Sequence, residues 1–201
     1  MKAEIMAIGT ELLMGELVDT NSTYLASELA KIGVELSRIT KIGDNPDQLR
    51  EVLDSAWRRS DVILTIGGLG PTSDDLTRET IAKVLDEEMF VENELLKHLE
   101  SLFTGRGYPM PESNVKQATL IPSAYSIPNP LGTAPGWFVE KDQRIIVAMP
   151  GPPRELQRMW NSEVKSLLKE RNQGITILTK TFKTFGITEG GLNELVSPLF
   201  E

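Results

Sequence analysis

The sequence predicts a layered α/β domain on a mostly parallel sheet, and three observations carry that reading. Apolar runs of strand length alternate with stretches of helical spacing. The run DVILTI at 61–66 is almost continuously aliphatic, as a central strand covered on both faces requires. Turns punctuated by glycine or proline follow the strand-like runs. Alternating elements joined by short connections imply parallel strands and right-handed crossovers.

The elements follow in order. KAEIMAIG at 2–9 reads as a first strand ending at Gly9. Asp19, Asn21 and Ser22 are capping candidates for a helix that carries Leu25, Leu29 and Ile32 on one face. Residues 34–42 alternate apolar and polar positions, as in a second strand. Asn45 with Gln48 makes a capping box and Pro46 suits the first helical position, ahead of Leu49, Val52, Leu53, Ala56 and Trp57. After the 61–66 strand, Leu76, Ile81, Ala82 and Leu85 predict a helix over about 74–85. Leu95, Leu96, Leu99, Leu102 and Phe103 predict another. Between 108 and 135 prolines stand at 109, 111, 122, 128, 130 and 135, so this stretch reads as a shaped loop with a short helix at 112–118. Residues 137–140 and 144–149 read as a hairpin around Lys141-Asp142. MPGPPRE at 149–155 then leads into a helix with Leu156, Met159, Trp160, Val164, Leu167 and Leu168. A strand-like run at 175–185 and an amphipathic stretch to 201 hold too little apolar surface for a domain and read as the cut-off start of a second module.

Composition excludes several functions. The chain has 201 residues, 40% of them hydrophobic and 25% charged, which suits one main globular domain. No apolar run approaches the roughly 20 residues of a membrane span. Glu4 and Glu11 interrupt the N-terminal apolar run, so it lacks the core of a signal peptide. With no cysteine there is no disulfide, thiolate nucleophile or Cys-based zinc site, which fits a reducing, cytoplasmic setting. A net charge of −8 disfavours nucleic acid as a partner. An acidic protein that handles phosphates is expected to use a metal ion and backbone N–H groups.

Candidate chemistry lies in the loops after the strands, because ligands of a parallel sheet bind beyond the strand C-termini. Four segments qualify: 9–11, 43–45, 67–75 and 149–154. In GGLGPTSDD, Gly67, Gly68 and Gly70 permit positive φ and close approach to the backbone, forming an anion nest at a helix start. Asp74 and Asp75 place carboxylates beside that nest, and a Mg²⁺-like cation is implied between acid and phosphate. Alternatively, Ser73 or Asp74 caps the helix and the glycines only make a turn. Asp44 either joins Asp75 around the same ion or forms the Gly-Asp-Asn-Pro turn. Glu11, Asp19 and Glu79 are candidates for a metal or for ribose hydroxyls, or are solvated charges. Thr10, Glu11 and Asn21 in the first loop, Thr133 in NPLGTAPG, and Gly151 and Pro152 in the proline turn are candidate substrate contacts. The last two segments also read as a plain loop and a helix start. His98, the one histidine, lies on a leucine-rich helix and receives no role. No Ser-His-Asp arrangement and no GxxxxGK[ST] loop is present.

IGTELLMGELVDTN at 8–21, TIGGLGPTSDDLTRET at 65–80, NPLGTAPG at 129–136 and MPGPP at 149–153 together resemble the N-terminal domain of the CinA (competence/damage-inducible) family, within the molybdopterin-binding fold. The resemblance spans roughly residues 1–170. It implies a three-layer α/β/α domain and a metal-dependent hydrolase that splits ADP-ribose into AMP and ribose 5-phosphate. It carries Asp75 and Asp44 over as metal or catalytic carboxylates with Asp74 beside them, and Mg, Mn or Co as the divalent metal. Asp74 stands where the pterin-adenylylating branch has a basic residue, which argues against that role. The resemblance further implies a small nucleotide or pterin ligand and a homo-oligomer. Residues 171–201 become a linker and the start of a KH-type module, entered at KTFGITEGGLNEL, without the deamidase domain of longer relatives. A binding domain without turnover and a molybdopterin adenylyl transferase remain alternatives.

Overall fold

The structure, a computed structural model, describes residues 1–172 and 182–200. The chain begins β1 (Lys2–Ile8), α1 (Thr10–Leu13), α2 (Thr20–Lys31), β2 (Glu35–Ile42), α3 (Pro46–Arg59), β3 (Val62–Ile66) and α4 (Thr77–Leu85). It continues through β4 (Phe90–Val91), α5 (Asn93–Gly105), a 3₁₀ turn (Glu112–Ala118), β5 (Thr119–Leu120), β6 (Ala124–Ile127), β7 (Gly136–Lys141) and β8 (Arg144–Met149). One long helix follows as α6 (Pro153–Met159), a π-helical turn (Trp160–Val164) and α7 (Lys165–Arg171); α8 (Glu189–Val196) comes later.

Six strands form one sheet in the order β2-β1-β3-β8-β7-β6. β2, β1, β3 and β8 run parallel, and the β7–β8 hairpin and β6 add antiparallel pairing at one side. β3 sits inside the parallel set and every one of its residues is buried, as its run of aliphatic residues, broken only by Thr65, requires. β4 and β5 pair separately over two residues each, a contact too short to leave a periodic signal.

Two apolar clusters on opposite faces of the sheet make the fold three-layered. On one face Leu25 and Leu29 of α2 and Leu156, Trp160 and Leu168 of the long α6–α7 helix pack with Ile5, Leu64 and Phe138. On the other, Leu49, Leu53 and Trp57 of α3 and Ile81 and Leu85 of α4 pack with Met6, Ile63 and Trp137. Trp137 and Phe138 are neighbours on β7, so strand alternation sends them to opposite cores.

Local signals account for the helix starts. Asp19 accepts from Ser22 N–H at 2.9 Å and caps α2. Asn45 accepts from Gln48 N–H at 3.0 Å and caps α3, but half of the expected capping box is missing: Asn45 N–H bonds the Gly43 carbonyl instead. α4 starts at Thr77 and not near 74, with Leu76 at its cap and no side-chain cap bond, so neither Ser73 nor Asp74 caps it. The strand-like run at 175–185 lies outside the described residues up to 181, and residues 182–185 form no strand. No described helix is long and apolar enough to cross a membrane.

Candidate functional site

Adjacent parallel strands deliver all four predicted loops to one edge of the sheet. There they line a cavity of about 400 Å³ that includes Glu11, Asp44, Gly67, Gly68, Gly70, Asp74, Asp75, Thr133, Gly151 and Pro152. Two expected contacts lie behind this lining. Thr10 anchors Asp44, its N–H and hydroxyl donating to Asp44 Oδ2 at 2.9 and 2.8 Å. Asn21 donates from Nδ2 to the Gly151 carbonyl at 2.7 Å, fastening the proline turn, and lines an adjoining groove with Asp19 and Glu11.

The glycine loop is shaped by close approach. Gly67 has φ +95°, and a Cβ there would lie 2.4 Å from the Ile8 carbonyl oxygen. A Cβ on Gly68 (φ +66°) would lie 2.3 Å from Thr77 Oγ1. Gly70 departs from expectation, for it is not among the glycines of positive φ. Its missing side chain makes room for Asp75, whose carboxylate accepts from Gly70 N–H at 2.8 Å and Thr72 N–H at 2.9 Å. The Gly70 amide, expected to hold a ligand anion, is thus satisfied, like that of Thr72, by the chain's own carboxylate. Gly67 N–H is also engaged, by the Met149 carbonyl at 2.9 Å.

Charge in the cavity is one-sided. Among the described residues five carboxylates line it, from Glu11, Asp44, Asp74, Asp75 and Glu155, and no lysine, arginine or histidine does. Asp74 and Asp75 converge on Thr72, each with an oxygen within hydrogen-bond distance of its hydroxyl. One hydroxyl proton can serve only one of them at a time. The Thr72 hydroxyl holds the Asp74 carboxyl below its ordinary pKa, with the Asp74 backbone and Lys116 adding to the effect. Glu155, unremarked in the sequence, accepts from Asn129 Nδ2 at 2.7 Å; Asn129 also donates to the Ala134 carbonyl and so knits the 129–136 loop to α6.

Among the described residues, no three Asp, Glu, His or Cys side chains come close enough to form a metal cage. The donor set instead suits a hard divalent cation that takes one or two carboxylates and completes its shell with ligand phosphates and water.

Arg78 is the residue that sequence reasoning missed. Its side chain is 1% exposed, and its guanidinium donates to the Leu69 and Pro135 carbonyls at 2.8 Å each. It therefore ties the glycine loop to the loop that carries Thr133. The guanidinium carbon lies 5.9 Å from the centre of a Trp137 ring, and burial pushes the pKa down to about 10. Spacing alone gave no sign of this, because Arg78 reads as a polar position between Leu76 and Ile81. Lys116 braces the same loop from outside, donating to the Thr72 and Asp75 carbonyls at 3.0 and 2.6 Å and pairing with Glu79. That ion pair accounts for Glu79, which does not line the cavity.

Residues 4–170 match the model of the family described as "probable molybdopterin binding domain". The chain belongs to that family, in its CinA-like branch. It is 46% identical over 199 residues to a CinA-like protein of Thermomicrobium roseum and 49% identical over 201 residues to one of Deinococcus radiodurans. These matches cover 99% and 98% of this chain and 49% of each relative, so the chain spans about half the length of the curated relatives it matches. Among solved structures, CinA of Thermoplasma acidophilum, a protein described as of unknown function, superposes with a TM-score of 0.77 at 28% identity, covering 83% of this chain and 97% of that one. The molybdopterin biosynthesis enzyme MoaB of Thermus thermophilus superposes with a TM-score of 0.54 at 19% identity, over 84% of this chain and 96% of that one. At that identity the likeness is one of fold.

Proposed function

We propose that this CinA-like domain is a metal-dependent hydrolase of a nucleotide pyrophosphate, converting ADP-ribose and water into AMP and ribose 5-phosphate. The observation that carries the reading is the cavity lining: among the described residues, five carboxylates and no basic side chain around a glycine loop. A pyrophosphate entering alone would be repelled. With a divalent cation between acid and phosphate, the same lining becomes attractive.

The chain's own residues divide the work. Asp44, held by Thr10, and Asp75, held by Gly70 and Thr72, present fixed carboxylates from neighbouring loops, with Asp74 beside them. A bound divalent cation would neutralise phosphate charge and acidify a water. The water adds to one phosphorus, the P–O–P bridge breaks, and the water's proton passes to a carboxylate of the lining. Asn21 and Arg78 act as positioning residues for the proline turn and the two site loops.

One observation favours a second reading, binding without turnover. The Asp75 carboxylate already satisfies the loop amides, a role that needs no chemistry. The two separate when the purified chain is incubated with ADP-ribose and, in parallel, with ATP, with and without Mg²⁺, Mn²⁺ or Co²⁺. Metal-dependent AMP from ADP-ribose, lost in Asp44→Ala, supports hydrolysis. No AMP with any metal, together with tight retention of the nucleotide, supports binding alone.

A further inference from the structure

Behind the acidic cavity lies a second one of different character. It is about 250 Å³ in volume, walled by Leu95, Leu99, Leu102, Pro128 and Pro135, with the exposed His98 at its rim. Among the described residues, not one carboxylate, lysine or arginine lines it. It shares Gln117 and Thr133 with the acidic cavity, so the two compartments adjoin across these two side chains. Its volume falls below the roughly 300 Å³ at which pockets for whole ligands begin, which suits one part of a larger ligand.

We propose that this apolar compartment is the subsite for a flat nitrogen heterocycle, the base of a nucleotide or a pterin ring, attached to a phosphate in the acidic cavity. The inference rests on the phosphate reading of the acidic cavity. Leucine and proline walls accept the faces of a ring and give nothing to a phosphate or a sugar. The polar edge comes from Gln117, which is 1% exposed and held in place by Asn114, whose Nδ2 donates to its Oε1 at 2.8 Å. Its Nε2 reaches the Leu69 carbonyl only at 3.4 Å. An amide has two donor hydrogens and two acceptor lone pairs, so this one keeps capacity for the edge of a ring at the junction of the compartments.

The test measures affinity in Mg²⁺ for three phosphate esters that differ in what they attach: AMP, a hydroxymethylpterin phosphate and ribose 5-phosphate. At least one ring-bearing ester is expected to bind about 10-fold or more tighter than ribose 5-phosphate, and which one it is names the source of the ring. Leu102→Trp, which fills the compartment, should bring that ratio to within about 2-fold while leaving ribose 5-phosphate affinity unchanged. His98→Trp blocks the rim from an exposed position where the core is not disturbed, and should lower the ratio in the same direction. The proposal is overturned if all three esters bind alike to the parent protein, or if the ratio survives both substitutions in folded variants. Equal binding with AMP still released from ADP-ribose sinks the ring subsite alone. Failure of every ester to bind sinks the phosphate reading with it.

Discussion

Two walls of the acidic cavity are built in opposite ways. The 67–75 wall is cross-braced: Asp75 holds its amides, Arg78 and Lys116 hold its carbonyls, and Gly67 N–H is tied to β8. The 9–19 wall is fastened only at its start, by Gly9 N–H to the Ile42 carbonyl and Thr10 to Asp44, and beyond that turns by local backbone bonds, with Leu13, Met14, Leu17 and Val18 exposed, Val18 at 85%. Preorganisation belongs to the first wall and freedom to adjust to the second. Fixed carboxylates facing an adjustable wall suit a site that must position phosphate closely yet admit and release its ligand.

The largest effect should come from breaking the braced wall at its centre. Arg78→Met takes the guanidinium donors from the Leu69 and Pro135 carbonyls, leaving Leu69 only the long contact from Gln117, and should cost about 3 kcal/mol in denaturant unfolding. Arg78→Lys keeps the charge but not the two-pronged reach, and should recover only part of that loss. A Met variant as stable as the parent would mean that the two loops hold each other without the guanidinium.

The adjustable wall is anchored at its far end, where α2 docks on the long α6–α7 helix through Glu28. This carboxylate is buried, and Lys165, Lys31 and the Trp160 indole bond to it, Lys165 Nζ at 2.7 Å. Those bonds, led by Lys165 and then Lys31, lower its pKa from 4.5 to about 2. The folded value lies below the unfolded one, so the stabilisation is complete above pH 4.5 and is lost as pH falls toward about 2. The shift corresponds to on the order of 3 kcal/mol. Glu28→Gln should flatten the fall of stability across that window. An unchanged acid limb would show that other carboxylates control it.

Next in size is Thr10→Val, which removes the hydroxyl bond to Asp44 and keeps the amide bond. If Asp44 holds the cation as proposed, metal-dependent AMP release should fall by about 10-fold with unfolding unchanged, since residues that orient a metal-binding carboxylate typically contribute about 10- to 100-fold. Thr10→Ser, which keeps the hydroxyl, should restore it. Equal activity in all three would remove Asp44 from the site.

The difference between the walls also explains what could be read in advance. β3 is an almost continuous aliphatic run, Asn45-Pro46 is a local start signal, and the meeting of four loops follows from the strands being parallel. Each depends on neighbours in sequence or on a rule of topology. The braces do not. Thr10 and Asp44 are 34 residues apart, and Arg78 and Pro135 are 57 apart, so no period connects them. Asp75 was legible as a carboxylate beside a glycine nest. That it fills part of the nest itself depends on the turn made by 70–75, which also delays α4 to Thr77.

The smallest effect on folding is expected on the adjustable wall itself. Val18→Ser removes an apolar side chain that is already exposed, and should change unfolding by less than about 0.5 kcal/mol. Its consequence should appear in binding, because Val18 lines the groove that adjoins the acidic cavity beside Asn21 and Pro152. If that groove holds part of the ligand, KM for ADP-ribose should rise while kcat stays the same, the pattern of lost uniform binding. A fall in kcat at constant KM would mean that this wall closes on the transition state and is no more passive than the glycine loop opposite.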